Sequence, residues 1–163
     1  MKTLDVLKFA FVTFVTCLFC SCATQTKITL KGPVSNRVKN VRTTAYTHTE
    51  AGGACNAVGA RLSGGGIISA ASDWSRFPLG TRFRIVGTND EYIIDDYGGA
   101  LIGTSTIDLY KTSRLAMRNW GVRHVDIDIL RWGSNEESLK VLRPRSHNGI
   151  VRRMIAKLET KKT

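Results

Sequence analysis

The segment IIDDYGGALIGTSTIDLY, Ile93–Tyr110, concentrates carboxylates in a chain that is otherwise basic. It places Asp95 and Asp96 before a Gly-Gly turn, and Asp108 follows twelve residues after Asp96. Glycines let a backbone or a ligand approach closely. The apolar neighbours of Asp108 favour its protonated form if the side chain is shielded from water. On residue chemistry alone, a structural role and a catalytic role are both open for these carboxyls.

The charge of the whole chain points to polyanionic partners. Its 163 residues hold 24 Lys and Arg against 13 Asp and Glu, a net charge of +11. This length fits a single domain. A strongly positive protein attracts polyanions, and nucleic acid and anionic envelope polymers are the two candidates. Nucleic acid would require the chain to stay in the cytosol, so the export signal described next leads us to expect no nucleic acid partner.

The N-terminus has the pattern of a secretory signal. Lys2 and Lys8 precede the apolar run Phe9–Phe19, which is followed by small residues. The run is too short for a membrane span, so residues 1–22 are predicted to be a signal peptide. The string LFCSC resembles a bacterial lipobox, in which Cys22 is lipidated; cleavage without lipidation stays open. We expect a protein of the cell envelope, an outer-membrane or periplasm-facing lipoprotein held in the membrane through Cys22.

The remaining patterns predict a mainly β protein. Residues 23–38 read as a polar, basic tether, residues 39–133 as a barrel domain, and residues 134–163 as a basic extension of helices. Period-two alternation and short apolar runs bounded by glycine predict strands near residues 40–47, 66–71, 82–86, 91–95 and 123–130. Many short strands around one helix argue for a small closed or nearly closed barrel.

Three segments carry helix signals. The first lies between Tyr110 and Gly121, with Leu115 predicted to face inward. The second starts after Ser134, which has a glutamate at capping-box spacing. The third is amphipathic and is predicted to pack on the barrel, with a membrane-surface or polymer-binding role as the alternative. Its apolar stripe consists of Val151, Met154, Ile155 and Leu158.

Three strings in this order resemble the three-aspartate (3D) domain: SAASDWSRFPLGTRFRI, IIDDYGGALIGTSTIDLY and WGVRHVDIDIL. The 3D domain is found in bacterial exported proteins and is related to the C-terminal part of the membrane-bound lytic transglycosylase A family. There, one aspartate precedes a P-L-G-T turn, a second opens D-x-G-G-A-x-x-G, and a third sits in I-D-L-Y or a similar string. Asp73, Asp96 and Asp108 fill these positions here. Asp95 departs from the pattern as an added carboxylate, and Tyr97 stands where threonine is common.

The resemblance implies both a fold and an activity. The fold is a small six-stranded double-psi β-barrel with one inserted helix, here followed by C-terminal helices. The activity is cleavage of the peptidoglycan glycan strand between N-acetylmuramic acid and N-acetylglucosamine, without a cofactor or a metal. Asp108, by position, would protonate the leaving oxygen and then deprotonate the 6-hydroxyl of the same sugar. Asp96 would act beside it. The candidate substrate-binding residues are Tyr46, Asp73, Asp95, Tyr97, Gly98 and Gly99.

Several alternatives remain at this point. Asp96 and Asp108 could instead form the carboxylate pair of a glycoside hydrolase. The chain could also be a non-catalytic wall-binding or wall-loosening module, because double-psi barrels occur in wall-associated proteins with weak or no lytic activity. Asp73 has a second reading, as the acceptor that supports its own turn. Four aromatic residues could stack on sugar rings or belong to the core: Trp74, Tyr97, Trp120 and Trp132.

Overall fold

The computed structural model of the chain describes residues 36–50 and 52–161. The predicted signal peptide, the predicted lipidation site Cys22 and residues 23–35 of the predicted tether lie outside these residues. Within the described residues, six strands close into a barrel, and three α-helices accompany it. The predicted mainly β class, with a six-stranded barrel, one inserted helix and C-terminal helices, is confirmed. Among the described helices, none is long and apolar enough to cross a bilayer.

The strands follow one another around the barrel in the order β1-β5-β2-β4-β3-β6. The pairs β1–β5 and β2–β4 are parallel, and the other pairs are antiparallel. The strands are β1 Asn36–Tyr46, β2 Ile67–Ala71, β3 Arg82–Ile85, β4 Glu91–Asp96, β5 Ile107–Tyr110 and β6 Arg123–Arg131. The helices are α1 Arg114–Trp120, α2 Asn135–Leu142 and α3 Gly149–Thr160, and short 3₁₀ turns cover Gly99–Leu101 and Arg143–Arg145.

Two strands differ from the sequence prediction. The first begins at Asn36, four residues earlier than expected, so the predicted boundary between tether and barrel falls inside β1. Strand β5 was not predicted from the pattern, because four residues give too little alternation to recognise. It forms because it pairs with β1 on one side and with β2 on the other. These ladders bury Ile107 and Leu109 completely.

Side-chain caps set the helix starts. The hydroxyl of Ser113 accepts from Ala116 N–H at 3.1 Å before α1, and the hydroxyl of Ser134 accepts from Glu137 N–H at 3.1 Å before α2. These bonds satisfy backbone donors that have no partner inside a helix. The Ser134 cap therefore starts α2 at Asn135, shortly after β6 ends at Arg131.

The predictions of which side chains α3 and α1 bury had opposite outcomes. Val151, Met154 and Leu158 of α3 are buried in the main hydrophobic core, so the prediction that this helix packs on the barrel is confirmed. The prediction that Leu115 faces inward is wrong, since 69% of Leu115 is exposed. Helix α1 has only seven residues, and it contacts β1 through Trp120, whose Nε1 donates to Thr43 Oγ1 at 3.2 Å.

Candidate active site

Strand pairing brings two of the three aspartates onto one face of the barrel. Ala71, the last residue of β2, is the register partner of Asp96 on β4 and of Asp108 on β5. Side chains that are directly opposite one another on neighbouring strands point to the same side of a sheet. Neighbouring strands are about 4.8 Å apart, so the two aspartate α-carbons are separated by about 10 Å. Ala71 leaves the space between the carboxyls open because its side chain is a single methyl group.

A bulge in β4 separates Asp96 from its neighbour. Ala70 pairs with Ile94 and Ala71 pairs with Asp96, so Asp95 is the extra residue. A bulge re-aims the side chains around it. The added carboxylate of this sequence therefore faces different surroundings from Asp96.

A cleft of about 530 Å³ opens in front of Asp96 and Asp108. Its other walls are Tyr46 at the end of β1, the Gly-Gly turn and the glycine-rich loop between β1 and β2, residues 47–50 and 52–66. The structure thus brings together six residues that the sequence assigned to the site: Tyr46, Asp96, Tyr97, Gly98, Gly99 and Asp108. Cys55, which is exposed and free, lines the same cleft.

Asp108 is held by a neighbour that the sequence did not indicate. Thr44, its register partner on β1, donates its hydroxyl to Asp108 Oδ1 at 2.6 Å. Burial raises the pKa of Asp108 above its usual value, while the hydrogen bond from Thr44 lowers it. Burial has the larger effect, so Asp108 keeps its proton to a higher pH than an exposed aspartate does. Thr44 was missed because the pairing of β1 with β5 cannot be read from either strand alone.

Asp96 is also shifted toward its protonated form. Burial raises its pKa to about 6, the nearby charge of Asp95 adds to this, and the backbone N–H of Tyr97 opposes it. That N–H donates to Asp96 Oδ1 at 2.9 Å. Both carboxyls of the cleft therefore keep a proton at a higher pH than an exposed aspartate does.

Tyr46 supplies a hydroxyl without a partner. It lies two residues beyond Thr44 on β1 and hence on the same face of the strand. Its hydroxyl is buried and makes no hydrogen bond within the described part of the chain. Burial raises the pKa of Tyr46, and the charges of Asp96, Asp95 and Asp108 raise it further. The phenol therefore stays a donor at every physiological pH.

The structure places Asp73 outside this cleft, although it occupies one of the three family positions. Its side chain is 0% exposed. Oδ1 accepts from the backbone N–H of Ser75 at 2.9 Å, and Oδ2 accepts from that of Gly103 at 2.8 Å. Asp73 thus supports its own turn and ties it to the loop before β5. Both carboxyl oxygens are enclosed and bonded, which favours the turn-supporting role, and the assignment of Asp73 to substrate binding stays a prediction.

Asp95, another predicted binding residue, is likewise absent from the lining of the cleft of about 530 Å³. Its Oδ2 accepts from Asn56 Nδ2 at 2.8 Å and from Ser69 Oγ at 2.7 Å. These bonds fasten the glycine-rich loop to β2 and β4. The roles of Asn56 and Ser69 carry no signal in the sequence, because they depend on contacts between distant segments. In the described ranges, no group of three or more His, Cys, Asp or Glu is arranged to hold a metal ion.

The three family positions are occupied by Asp73 in the turn after β2, Asp96 on β4 and Asp108 on β5. The family model described as the 3D domain matches residues 68–131. This segment is a 3D domain. The 3D domain runs from β2 to the end of β6 and contains Asp73, Asp96 and Asp108, so the recognition made from the sequence is confirmed over these residues. Tyr46 and Thr44 precede the matched segment. No curated protein matches the chain.

Asp96→Asn is expected to stabilise the fold at neutral pH. The pKa of Asp96 is raised from 3.8 to about 6 on folding, so the native state binds this proton more tightly than the unfolded chain. Stability therefore falls as pH rises between about pH 4 and 6, and the full penalty is present above that range. The amide carries no charge, so the variant should gain about 1–2 kcal/mol at about pH 7.5 and nothing at about pH 4. Urea unfolding of the wild type and the variant at both pH values measures this difference. A variant that is no more stable than the wild type at the higher pH would contradict the prediction.

Proposed function

We propose that this protein cleaves peptidoglycan glycan strands as a lytic transglycosylase, with Asp108 as the acid and base and Asp96 beside it. The 3D domain family is associated with cell-wall lytic enzymes. The observation that carries the proposal is the shared cleft of Asp96 and Asp108, on either side of Ala71. Burial raises the pKa of both carboxyls, which is the direction that an acid working near neutral pH needs.

The cleft supports a reaction in which one carboxyl acts twice, first as an acid and then as a base. Protonated Asp108 donates to the glycosidic oxygen, and the bond to the muramic acid C1 breaks as positive character develops on that ring. Asp96, ionised at this stage, stabilises the developing charge. The Asp108 carboxylate then takes the proton of the sugar's 6-hydroxyl while this oxygen bonds to C1. The strand ends in a 1,6-anhydro ring, the donated proton stays on the hydroxyl of the leaving sugar, Asp108 is protonated again by the 6-hydroxyl, and no water is consumed.

Tyr46 has a supporting part in this proposal. Its hydroxyl is a buried donor without a partner in the described chain, and it lines the cleft with the two carboxyls. An unsatisfied buried hydroxyl costs free energy. A sugar oxygen in the cleft would accept from it and remove that cost, so the hydroxyl favours a bound saccharide over an empty cleft.

The hydrogen bond from Thr44 gives a test of the acid. Thr44→Val keeps the shape of the side chain but removes the donor that lowers the pKa of Asp108. The pKa of Asp108 should rise, so the loss of activity at high pH should move to higher pH, by up to about one unit. The pH profile of kcat/KM measures the shift, and Thr88→Val, on an exposed turn, serves as the matched control. If the pH profiles of Thr44→Val and the wild type superimpose, Asp108 is not the acid.

Release of soluble fragments from purified peptidoglycan tests the proposed activity itself. The purified protein should release them in proportion to its concentration. Failure to release fragments, with the protein still sedimenting with the peptidoglycan, would favour the wall-binding alternative. Failure to release and to sediment would reject peptidoglycan as the target.

A further inference from the structure

A second cleft lies between the end of β6, the start of α2 and strand β4. Its volume is about 510 Å³, and it shares no lining residue with the cleft of Asp96 and Asp108. Trp132, Arg131 and Glu137 line it, together with Asp95 and apolar side chains of β4. None of these has a part in the reaction proposed above. We call it the Trp132 cleft.

Trp132 differs from the other aromatic residues that could stack on sugars. Trp74 is fully buried, and Tyr97 packs edge-on against it at 5.1 Å between ring centroids. Two cationic side chains lie over the ring of Trp120 at 4.6 and 4.5 Å. Trp132 is 45% exposed, and it stacks on Phe77 with only 8° between the ring planes. Of the four, Trp132 therefore presents a solvent-exposed indole supported from within the protein.

Hydrogen bonds and a close backbone contact hold the segment that follows Trp132. Gly133 N–H donates to Thr81 Oγ1 at 3.0 Å, and Ser134 N–H donates to Leu79 O at 3.0 Å. A Cβ at Gly133 would lie 2.2 Å from Leu79 O, so only glycine allows this approach. A segment fixed by such contacts loses little conformational entropy when a ligand binds. The backbone next to the indole is thus held in place before any ligand binds.

The polar groups around the indole suit a neutral ring with many hydroxyls. Arg131 is a donor, while Glu137 and Asp95 are acceptors. A polyanion would meet two carboxylates here, which is unfavourable. A pyranose has an apolar face that packs on an aromatic ring and hydroxyls that both donate and accept. Ligand sites combine an apolar surface with a few polar groups in this way.

We propose that the Trp132 cleft is a second saccharide-binding site, which holds a pyranose unit of a glycan strand apart from the cleft of Asp96 and Asp108. The choice of ligand rests on the proposed function. The cleft holds the protein on its polymer, while the carboxyls act elsewhere on the barrel.

The test uses an N-acetylglucosamine tetramer as the probe and the purified Asp108→Asn protein, which removes the complication of cleavage. Trp132→Ala in this protein should weaken binding by about tenfold, whereas Trp132→Phe, which keeps an aromatic face, should stay within about threefold. Leu115→Ala, at an exposed apolar position on α1, is the matched control and should bind normally. In the NMR spectrum of the Asp108→Asn protein, which keeps Trp132, the side-chain N–H signal of Trp132 should move when the tetramer is added.

The proposal is overturned if Trp132→Ala binds as tightly as its parent, or if signals move only for residues of the Asp96 and Asp108 cleft. The NMR titration needs no substitution at Trp132, so it decides the matter even if Trp132→Ala folds poorly. The two proposals also fail separately. A protein that cuts peptidoglycan but binds the tetramer without Trp132 lacks the second site, whereas one that binds through Trp132 and cuts nothing lacks the proposed activity.

Discussion

Asp108→Asn is expected to lower the rate of glycan cleavage by about a hundredfold to ten-thousandfold, the usual contribution of a general acid and base. The amide is close in size to the carboxyl, and its oxygen can still accept from Thr44 as Asp108 Oδ1 does at 2.6 Å. The fold of β5 should therefore be preserved while the exchangeable proton is lost. The rate of soluble fragment release at saturating peptidoglycan measures the effect.

Two companion variants make this result specific. Asp96→Asn should also slow cleavage, because it removes the charge that stabilises the developing cation. Asp90→Asn, in the exposed turn between β3 and β4, changes a carboxylate outside the cleft and should leave the rate unchanged. If Asp108→Asn cleaves as fast as the Asp90 variant, Asp108 is not the acid.

Asp73→Ala is expected to lower the free energy of unfolding by about 3 kcal/mol, because the substitution removes both buried carboxyl oxygens that accept hydrogen bonds. The backbone N–H groups of Ser75 and Gly103 would have no partner, because Asp73 bonds to each of them at 2.9 and 2.8 Å. Asp73→Asn keeps one acceptor oxygen but turns an amide nitrogen toward the other donor, so about half of the loss or more should remain. Urea unfolding gives both values.

Activity of the same variants separates the roles of the three aspartates. Under conditions where Asp73→Ala is folded, its cleavage rate should stay within a few-fold of the wild type, since Asp73 is enclosed and outside the cleft. Asp108→Asn should show the reverse, a stable fold and little activity. An Asp73→Ala protein with unchanged stability would contradict the structural role assigned here.

The features that could be predicted from the sequence depend on local patterns. The alternation of β6, the apolar stripe of α3 and the start of α2 after Ser134 each follow from residues close together in the chain. The resemblance to the 3D domain predicted two further features, the closed barrel and the two aspartates of the cleft. The order of the three family strings along the chain identifies these aspartates.

The features that could not be predicted depend on pairing between distant strands. Strand β5 exists because β1 and β2 flank it. The bond from Thr44 to Asp108 requires the register of β1 with β5, and the separate environment of Asp95 requires the bulge between β2 and β4. The sequence alone assigns Asp73, Asp95 and Asp96 to the motifs of the site. It does not indicate which of these side chains line the cleft.

The most direct test of the proposed chemistry is mass spectrometry of the soluble products formed in water enriched in heavy oxygen. Transfer to the sugar's own 6-hydroxyl predicts 1,6-anhydro ends that carry no heavy oxygen, produced by the wild type and lost in Asp108→Asn. Products with reducing ends, one water heavier and carrying the label, would contradict this mechanism and assign the carboxyl pair to hydrolysis. The absence of any product would contradict cleavage altogether.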